Sequence, residues 1–500
     1  MPTMPTMPTL IPPEHYVREA LGALRPLDAV ATPLQAAHGL VLAEDVTAAL
    51  PVPPWTNSAM DGYALRAEDA AGATNQAPVV LPVAGDVPAG TAPAPLAPGT
   101  AMRIMTGAML PEGADAVVRV EDTDQAPGPR PLPQRVAIHA APSTCLNVRR
   151  AGEGCAVGDP VMEAGTLLGA TAISALASVG RAEVLARPRP RVAVVSTGAE
   201  LVDAGQGLAP GTIPDSNSLL LAGLVHECGA DFVGARRSAD TAEDLAAVLA
   251  KAAEDADLVV TSGGVSAGAF DPLTMLAESA GGPAAARGST LNAAPTGGDE
   301  SGARVRISFA KVAMQPGKPQ GHGLIRTADG REVPLLCLPG NPVSVLVSFT
   351  LVVAPALAIL AGHQETAGIG TTGPRASYAR AATVWKGPVG RRQYVPVRVV
   401  GAPSPLPEPL PPAPKDAGPA PLAQSAPSAL PWVEPTHRLG SGSHLVSSLS
   451  SAEALAVVGE HVLEVALGDP VGLIALSAPA APGGALAPRP CRAHRPAPGP

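Results

Sequence analysis

Aromatic residues are scarce in this chain: four Phe, three Trp and four Tyr amount to 2% of 500 residues, although 46% of the sequence is hydrophobic. Its cores must be built from Ala, Val and Leu, punctuated by 53 Gly and 59 Pro. Charge is sparse as well, at 15% of residues and a net −9, with no block of Lys and Arg. Neutralising a phosphate backbone needs such a block, so nucleic acid is excluded as the main partner. The five cysteines (145, 155, 228, 337, 491) show no CxxC spacing, which excludes a zinc site or disulfide framework and suits a reducing cytosol. The opening MPTMPTMPT has neither the charged nor the apolar region of a signal peptide. One run, VSVLVSFTLVVAPALAILAG (343–362), is long enough to cross a membrane. It lacks flanking cations and aromatic anchors and follows a strand and a Pro-Gly turn, so it reads as a buried helix, and no membrane partner is expected.

A chain of this length exceeds one hydrophobic core, and three or four domains are expected. Residues 1–13 and 478–500 read as disordered tails. Helical spacing marks 14–24, and 34–48 looks like helix passing into strand. From about 60 to 145, short Val-rich strands alternate with Pro and Gly turns, the pattern of a compact β domain. Helix returns at 165–180, so this β unit is read as an insertion. Beyond Arg191 the chain alternates strand (191–196), helix (216–228), strand (231–237), helix (241–255) and strand (257–264), which predicts a parallel sheet covered on both faces. Further strands are expected near 304–314 and 334–338, then the apolar helix. Short strands resume over 373–476, interrupted by a Pro-rich stretch, 401–432, that is unsuited to a core.

Against this plain background NSAMDGYA (57–64) stands out. PVPPW before it is stiff and cannot continue a helix. Asp61-Gly62 reads as a tight turn, with Gly tolerating positive φ. The result is a rigid arm ending in a carboxylate, which is either a turn former or a reactive group.

Three predicted strands end in small polar turns: VVSTGAE (194–200), VVTSGGVSAG (259–268) and LCLPGNPVS (336–344). In an open α/β sheet the carboxyl ends of the strands face one crevice. Gly and Ser there let backbone amides approach an oxyanion, and helix starts favour phosphate. Pro342 fits the first helical position, with Asn341 as cap and Ser344 in the first turn. Each turn alone is weak evidence; three together point to a phosphate-bearing ligand. Around the crevice lie Glu200, Asp240 and Asp271, and KVAMQPGKPQG sets Lys311 and Lys318 about a Pro-Gly turn. Asp240 is equally readable as a helix cap, and Lys311 as a solvated edge charge. Anion donors, cations and carboxylates in one crevice suit phosphate chemistry with a divalent metal.

Together, NSAMDGYA, RIMTGAMLPEGADAVV, STGAEL, DSNSLLLAGLVHECGA, TSGGVSAGAFD, KVAMQPGKP and LPGNPVSVLVSF resemble, in order, the molybdopterin molybdenumtransferase family, which includes bacterial MoeA and the C-terminal domain of gephyrin. The resemblance covers roughly residues 14 to 476. It implies a MogA-like doubly wound α/β domain (14–27 and 191–372), a segmented linker domain (28–54 and 146–190), an inserted β domain (55–145) and a C-terminal β-barrel (373–477). It implies a cytoplasmic homodimer that takes adenylylated molybdopterin and molybdate, inserts molybdenum and releases AMP with magnesium. By the same resemblance Asp61, Glu200 and Asp271 are catalytic, Asp61 reaching into the partner's crevice and the other two holding Mg2+. Thr106, Asp240, Ser262, Gly263, Gly264, Ser266, Lys311, Gly340, Asn341, Pro342 and Ser344 would bind the pterin substrate. Ser266, Gln315, Lys318, Pro319, Arg391 and Ser443 would hold molybdate. A molybdopterin adenylyltransferase and molybdoenzymes are the protein partners implied.

The chain departs from the family pattern at Ala199, where many members carry Asp, and at Gln315, where several carry a cation. GAFD also lacks an acid two places before Asp271. Two alternatives remain at this point: an adenylyltransferase, against which the β domain and barrel speak, and a molybdopterin-binding scaffold for which 401–432 is a docking segment.

Overall fold

A computed structural model of the protein describes residues 10–265, 271–279, 304–363, 377–403, 430–437 and 446–476. Most of the two expected tails, most of the Pro-rich stretch, Ser266 and Ser443 lie outside these residues. The chain divides into two compact units, one of residues 29–186 and one of residues 1–28 with 187–500.

The larger unit is built on a six-stranded sheet. Strand Arg191–Thr197 lies parallel to Asp231–Ser238 on one side and to Leu258–Ser262 on the other, and Leu258–Ser262 lies parallel to Glu332–Leu338. The expected parallel sheet then turns out to be mixed, because Pro319–Arg326 and Val305–Lys311 extend it antiparallel. Two glycines hid Pro319–Arg326 from pattern reading. A Cβ at Gly323 would sit 1.9 Å from the Arg306 carbonyl oxygen, so the neighbouring strand admits no side chain there. The short link from Arg326 to Glu332 can join only antiparallel strands.

Alternation along the parallel strands sorts the two faces. Val192, Val194, Leu258, Val260, Leu336 and Leu338 meet helix Ser216–Glu227 and the long apolar helix. Ala193, Val195, Val259, Leu335 and Cys337 meet helices Ala242–Asp255 and Pro272–Ser279 on the other face. Helix Pro13–Leu21 joins the first face through Tyr16 and Val17, and the Tyr16 hydroxyl donates to the Gly321 carbonyl at 2.9 Å. The apolar helix spans Pro342–Leu360, and 78% of its most apolar window is buried within the protein, so it is a core helix. It contains a π turn at Phe349–Val353 just before Pro355, whose ring removes one donor and crowds the preceding turn.

Strand Arg392–Val400 pairs with Trp432–Pro435, which pairs with Ser377–Ala381, then Pro470–Ala475, then Ala454–Val458, which returns to Arg392–Val400. This closes the C-terminal β-barrel. Its interior is small and aliphatic, with Ala379, Ala381, Val395, Ala454 and Ala456, as a five-stranded ring requires. Met314–Gln315 adds to the edge of Arg392–Val400, joining the α/β sheet's connecting turn to the barrel by main chain.

The smaller unit holds a five-stranded sheet in the order Ala116–Arg119, Gly62–Leu65, Ala101–Ile104, Val79–Val87, Arg135–Ile138. A separate core gathers Leu34, Leu42, Val46, Leu168, Leu176 and Val184. Residues 34–48 are a short 3-10 turn, Leu34–Ala36, followed by two-residue strands rather than a helix, since Gly39 requires positive φ. The helix expected at 165–180 is Ala170–Ser178.

Candidate active site

The carboxyl ends of the parallel strands open into a cleft of ≈ 990 Å³ lined by all three polar turns. After Arg191–Thr197 the chain turns at Gly198, whose φ of 140° suits only glycine, and presents Glu200. The Ala199 N–H donates to Asp240 Oδ2 at 3.1 Å, so Asp240 fixes the turn that carries Glu200. Its reading as a helix cap is corrected: Thr241 caps that helix, accepting from the Asp244 N–H. Thr241 has the extended backbone of an N-cap residue (φ −122°, ψ 148°), which brings its hydroxyl, not the Asp240 carboxylate, to the amide three places on.

The second turn follows Leu258–Ser262 with two left-handed glycines, Gly263 (φ 94°) and Gly264 (φ 71°). A Cβ at Gly263 would lie 2.8 Å from both the carbonyl and hydroxyl oxygens of Thr197, so the first two turns meet through bare backbone. Asp271 begins the next helix, where its Oδ1 accepts the Thr274 N–H at 3.3 Å, and it is 5% exposed. In the third turn Gly340 abuts Gly263, Asn341 is the N-cap residue, Pro342 opens the helix, and Ser344 is buried.

Cations also line the cleft. The turn 314–319 contains a cis Gln315–Pro316 bond and a left-handed Gly317, and it presents Lys318 and Pro319 to the cleft. Buried Gln320 holds this turn, donating to the Gly317 carbonyl (2.7 Å) and to Ser348 Oγ (2.6 Å). Of the adjacent arginines in GRRQY, Arg391 lines the cleft. Arg392 is bound instead to Glu14 of the N-terminal helix and lies 3.6 Å from Glu460. Neither Lys318 nor Arg391 forms an ion pair among the described residues.

Glu200, Asp240, Asp271, Ser262, Gly263, Gly264, Gly340, Asn341, Pro342, Ser344, Gln315, Lys318, Pro319 and Arg391 thus share one cleft. Lys311 does not line it; it ends strand Val305–Lys311, where its carbonyl accepts the Ile11 N–H. Asp61 and Thr106 belong to the smaller unit, where Thr106 donates to Asp61 Oδ1 through its amide (2.6 Å) and hydroxyl (2.8 Å). These bonds hold the Asp61 carboxyl below its ordinary range.

The reading of Gly62 as a turn residue is corrected. It opens strand Gly62–Leu65 without positive φ, and a Cβ there would stand 1.9 Å from the Val118 carbonyl oxygen. Glycine is needed for strand contact; two neighbouring backbones leave no room for a side chain. Asn57 and Ser58 are likewise buried, while Trp55 and Met60 are exposed.

Asp215 and Asn217 also line the cleft and were not singled out as site residues in the sequence. Asp215 caps helix Ser216–Glu227, accepting from the Ser218 N–H. Asn217 Nδ2 donates to Ser262 Oγ (2.8 Å) and to the Gly340 carbonyl (2.6 Å). The signal was present in DSN at a helix start, but capping explains such residues without a ligand. Among the described residues, Thr197 Oγ1 and Asn217 Oδ1 are buried without a hydrogen-bond partner, which leaves them able to bond a polar ligand. Cys337, beneath the cleft, has its thiol pushed up to about 12 by burial and is inert as a nucleophile.

No group of three or more His, Cys, Asp or Glu suited to a metal occurs among the described residues. Two carboxylates with a phosphate do fit magnesium, which keeps several waters and is held by one or two carboxylates plus phosphate oxygens.

Comparison with known proteins gives a consistent result. Residues 11–180 match the model of the MoeA N-terminal region (domain I and II), and residues 193–359 match the probable molybdopterin binding domain. The chain is 44% identical over 350 residues to molybdopterin molybdenumtransferase 2 of Mycobacterium tuberculosis, covering 70% of this chain and 78% of that one. It is 38% identical over 331 residues to the molybdopterin molybdenumtransferase of a Nostoc species, covering 66% and 69% respectively. Among solved structures, the molybdopterin biosynthesis MoeA protein from Pyrococcus horikosii aligns with a TM-score of 0.69 and 28% identity, over 94% of this chain and 99% of that one.

Proposed function

The chain belongs to the molybdopterin molybdenumtransferase family, and from that premise we propose that it takes adenylylated molybdopterin and molybdate, releases AMP and forms molybdenum cofactor. The observation that carries this reading is one cleft that gathers a Gly-Ser cradle, the acids Glu200, Asp240 and Asp271, and two cations, Lys318 and Arg391, that form no ion pair among the described residues. A phosphorylated pterin suits the cradle, and a tetrahedral oxyanion suits the cations.

In this reading Ser262, Gly263 and Gly264 receive the terminal phosphate of the pterin, with Asn341 and Ser344 beside it. Lys318 and Arg391 hold molybdate by charge, Gln315 and Pro319 shape its pocket, and Ser266 and Ser443, outside the described residues, are assigned to molybdate by the family resemblance alone. Glu200 and Asp271 would hold magnesium, and Asp240 fixes the turn bearing Glu200. When bound, magnesium neutralises phosphate charge and polarises the anhydride. Attack of water on phosphorus then breaks the anhydride P–O bond, and AMP leaves. Two Thr106 hydrogen bonds further stabilise the ionised form of Asp61, which suits it to orient that water. It does so across a homodimer, from the partner subunit's arm. The reaction is assigned to the cytoplasm.

The test is AMP release by the full chain with adenylylated molybdopterin, magnesium and graded molybdate. Molybdate-dependent release supports the reading; tight pterin binding without turnover at any molybdate concentration refutes it. Asp61→Asn and Glu200→Gln are each expected to stop release while pterin binding persists. Mixed dimers of the two variants regain one working site if the arm crosses between subunits. Chelation by EDTA abolishes release, and added magnesium restores it.

A further inference from the structure

We propose that Asn217 is a positioning residue that sets the polarity of Ser262, making its hydroxyl a donor to the ligand's terminal phosphate. This rests on the reading of the cleft given above.

The amide orientation follows from its partners. A backbone carbonyl only accepts, so the Asn217 atom 2.6 Å from the Gly340 oxygen must be the NH2 nitrogen. That same nitrogen lies 2.8 Å from Ser262 Oγ, which therefore accepts. Ser262 is 2% exposed, at the end of strand Leu258–Ser262 and at the lip of the Gly263–Gly264 turn. With Asn217 occupying an acceptor position, the one hydroxyl proton of Ser262 is directed away from Asn217. The cleft is where an anion would receive it.

The other N–H of Asn217 reaches the third turn at Gly340, which packs against Gly263. One side chain at the start of helix Ser216–Glu227 thereby ties together the two turns that would cradle phosphate. Asp215 fixes the helix start from which it projects, accepting the Ser218 N–H at 3.1 Å. Both Asn217 donors are engaged, so toward a phosphate oxygen, which only accepts, its influence passes through Ser262 and Gly340.

The experiment is a double-mutant cycle on the full-length protein, with affinity for adenylylated molybdopterin measured by calorimetry and AMP release measured in parallel. Asn217→Leu keeps the shape and removes both donations; it is expected to weaken binding about 10-fold in the native background and under about 3-fold in Ser262→Ala. Asn217→Asp accepts where Asn donates and is expected to weaken binding about 100-fold, again with part of the loss absent in Ser262→Ala. The molybdate KM stays within about 2-fold in every variant, which a general loss of structure would not allow. Equal losses in both backgrounds overturn the proposal, as does a parallel loss of molybdate affinity or a native protein that fails to bind the pterin. Coupling observed in binding without AMP release by the native protein sinks only the reaction assigned to the cleft. AMP release without coupling sinks only the role of Asn217.

Discussion

Replacing Gly62 by Ala tests why NSAMDGYA has the sequence it has. Gly62 lies between two strands, opposite Ile104 on one side and Arg119 on the other. The added methyl would stand 1.9 Å from the Val118 carbonyl oxygen, about 1.1 Å inside the 3.0 Å that real Cβ atoms respect. The obstacle is backbone held in a ladder, so relief requires moving a strand. Overpacking of this kind is expected to cost about 4 kcal/mol and to lower the melting temperature of this unit by roughly 10 °C. Gly107 is the control: its φ is 78° and a Cβ there meets nothing within 4 Å. Gly107→Ala is expected to cost about 1–2 kcal/mol from backbone conformation alone. Asn, which tolerates left-handed backbone, will be milder than Ala at 107 and no milder at 62. Calorimetry and urea titration of the full chain supply the comparison. If Gly62→Ala is as mild as Gly107→Ala, strand contact is not the reason for the glycine.

Thr106→Val removes one of two hydrogen bonds to Asp61 and will raise its pKa, so the acid limb of AMP release moves to higher pH. The sign follows from the depressed folded pKa: the ionised, stabilised state is present above the unfolded value and is lost as pH falls through the folded one. Gln320→Leu strands the Gly317 carbonyl and Ser348 hydroxyl in a buried site. It is expected to cost about 2–3 kcal/mol in urea unfolding and to raise the molybdate KM more than the pterin KM. Gln315→Lys adds a third cation to the cleft with Lys318 and Arg391; the molybdate KM falls several-fold in low salt, and added salt erases much of the gain.

The larger fold was legible where pattern and spacing agreed. Strands at 191, 231 and 258 and their helices lie within a residue or two of expectation, because the strands at 191 and 258 are apolar runs buried on both faces, the edge strand at 231 is set off by Gly229, and each helix has a recognisable start. Pro319–Arg326 was not legible, since Gly321 and Gly323 imitate a loop while serving close strand contact. The same ambiguity misled the reading of Gly62. Within the cleft, acids and cations could be named from their turns, but Asn217 could not. Its importance lies in two donations to residues 45 and 123 positions away, which no local pattern encodes. Likewise only the fold separates Arg391 from Arg392, by giving Arg392 its partners in Glu14 and Glu460.

The main-chain seam between residues 313–315 and strand Arg392–Val400 has a mechanical consequence. The Arg392 N–H donates to the Ala313 carbonyl at 2.9 Å, and Met314 and Gln315 lie opposite Arg392 and Gln393. Lys318 and Arg391 therefore stand on one piece of hydrogen-bonded backbone, Lys318 in the turn that starts at Met314 and Arg391 next to Arg392. The Val312 N–H also donates to the Lys318 carbonyl at 2.8 Å, so the same seam fastens Lys318 to the sheet. The two cations come from different sheets, yet strand register fixes the spacing of the backbones that carry them.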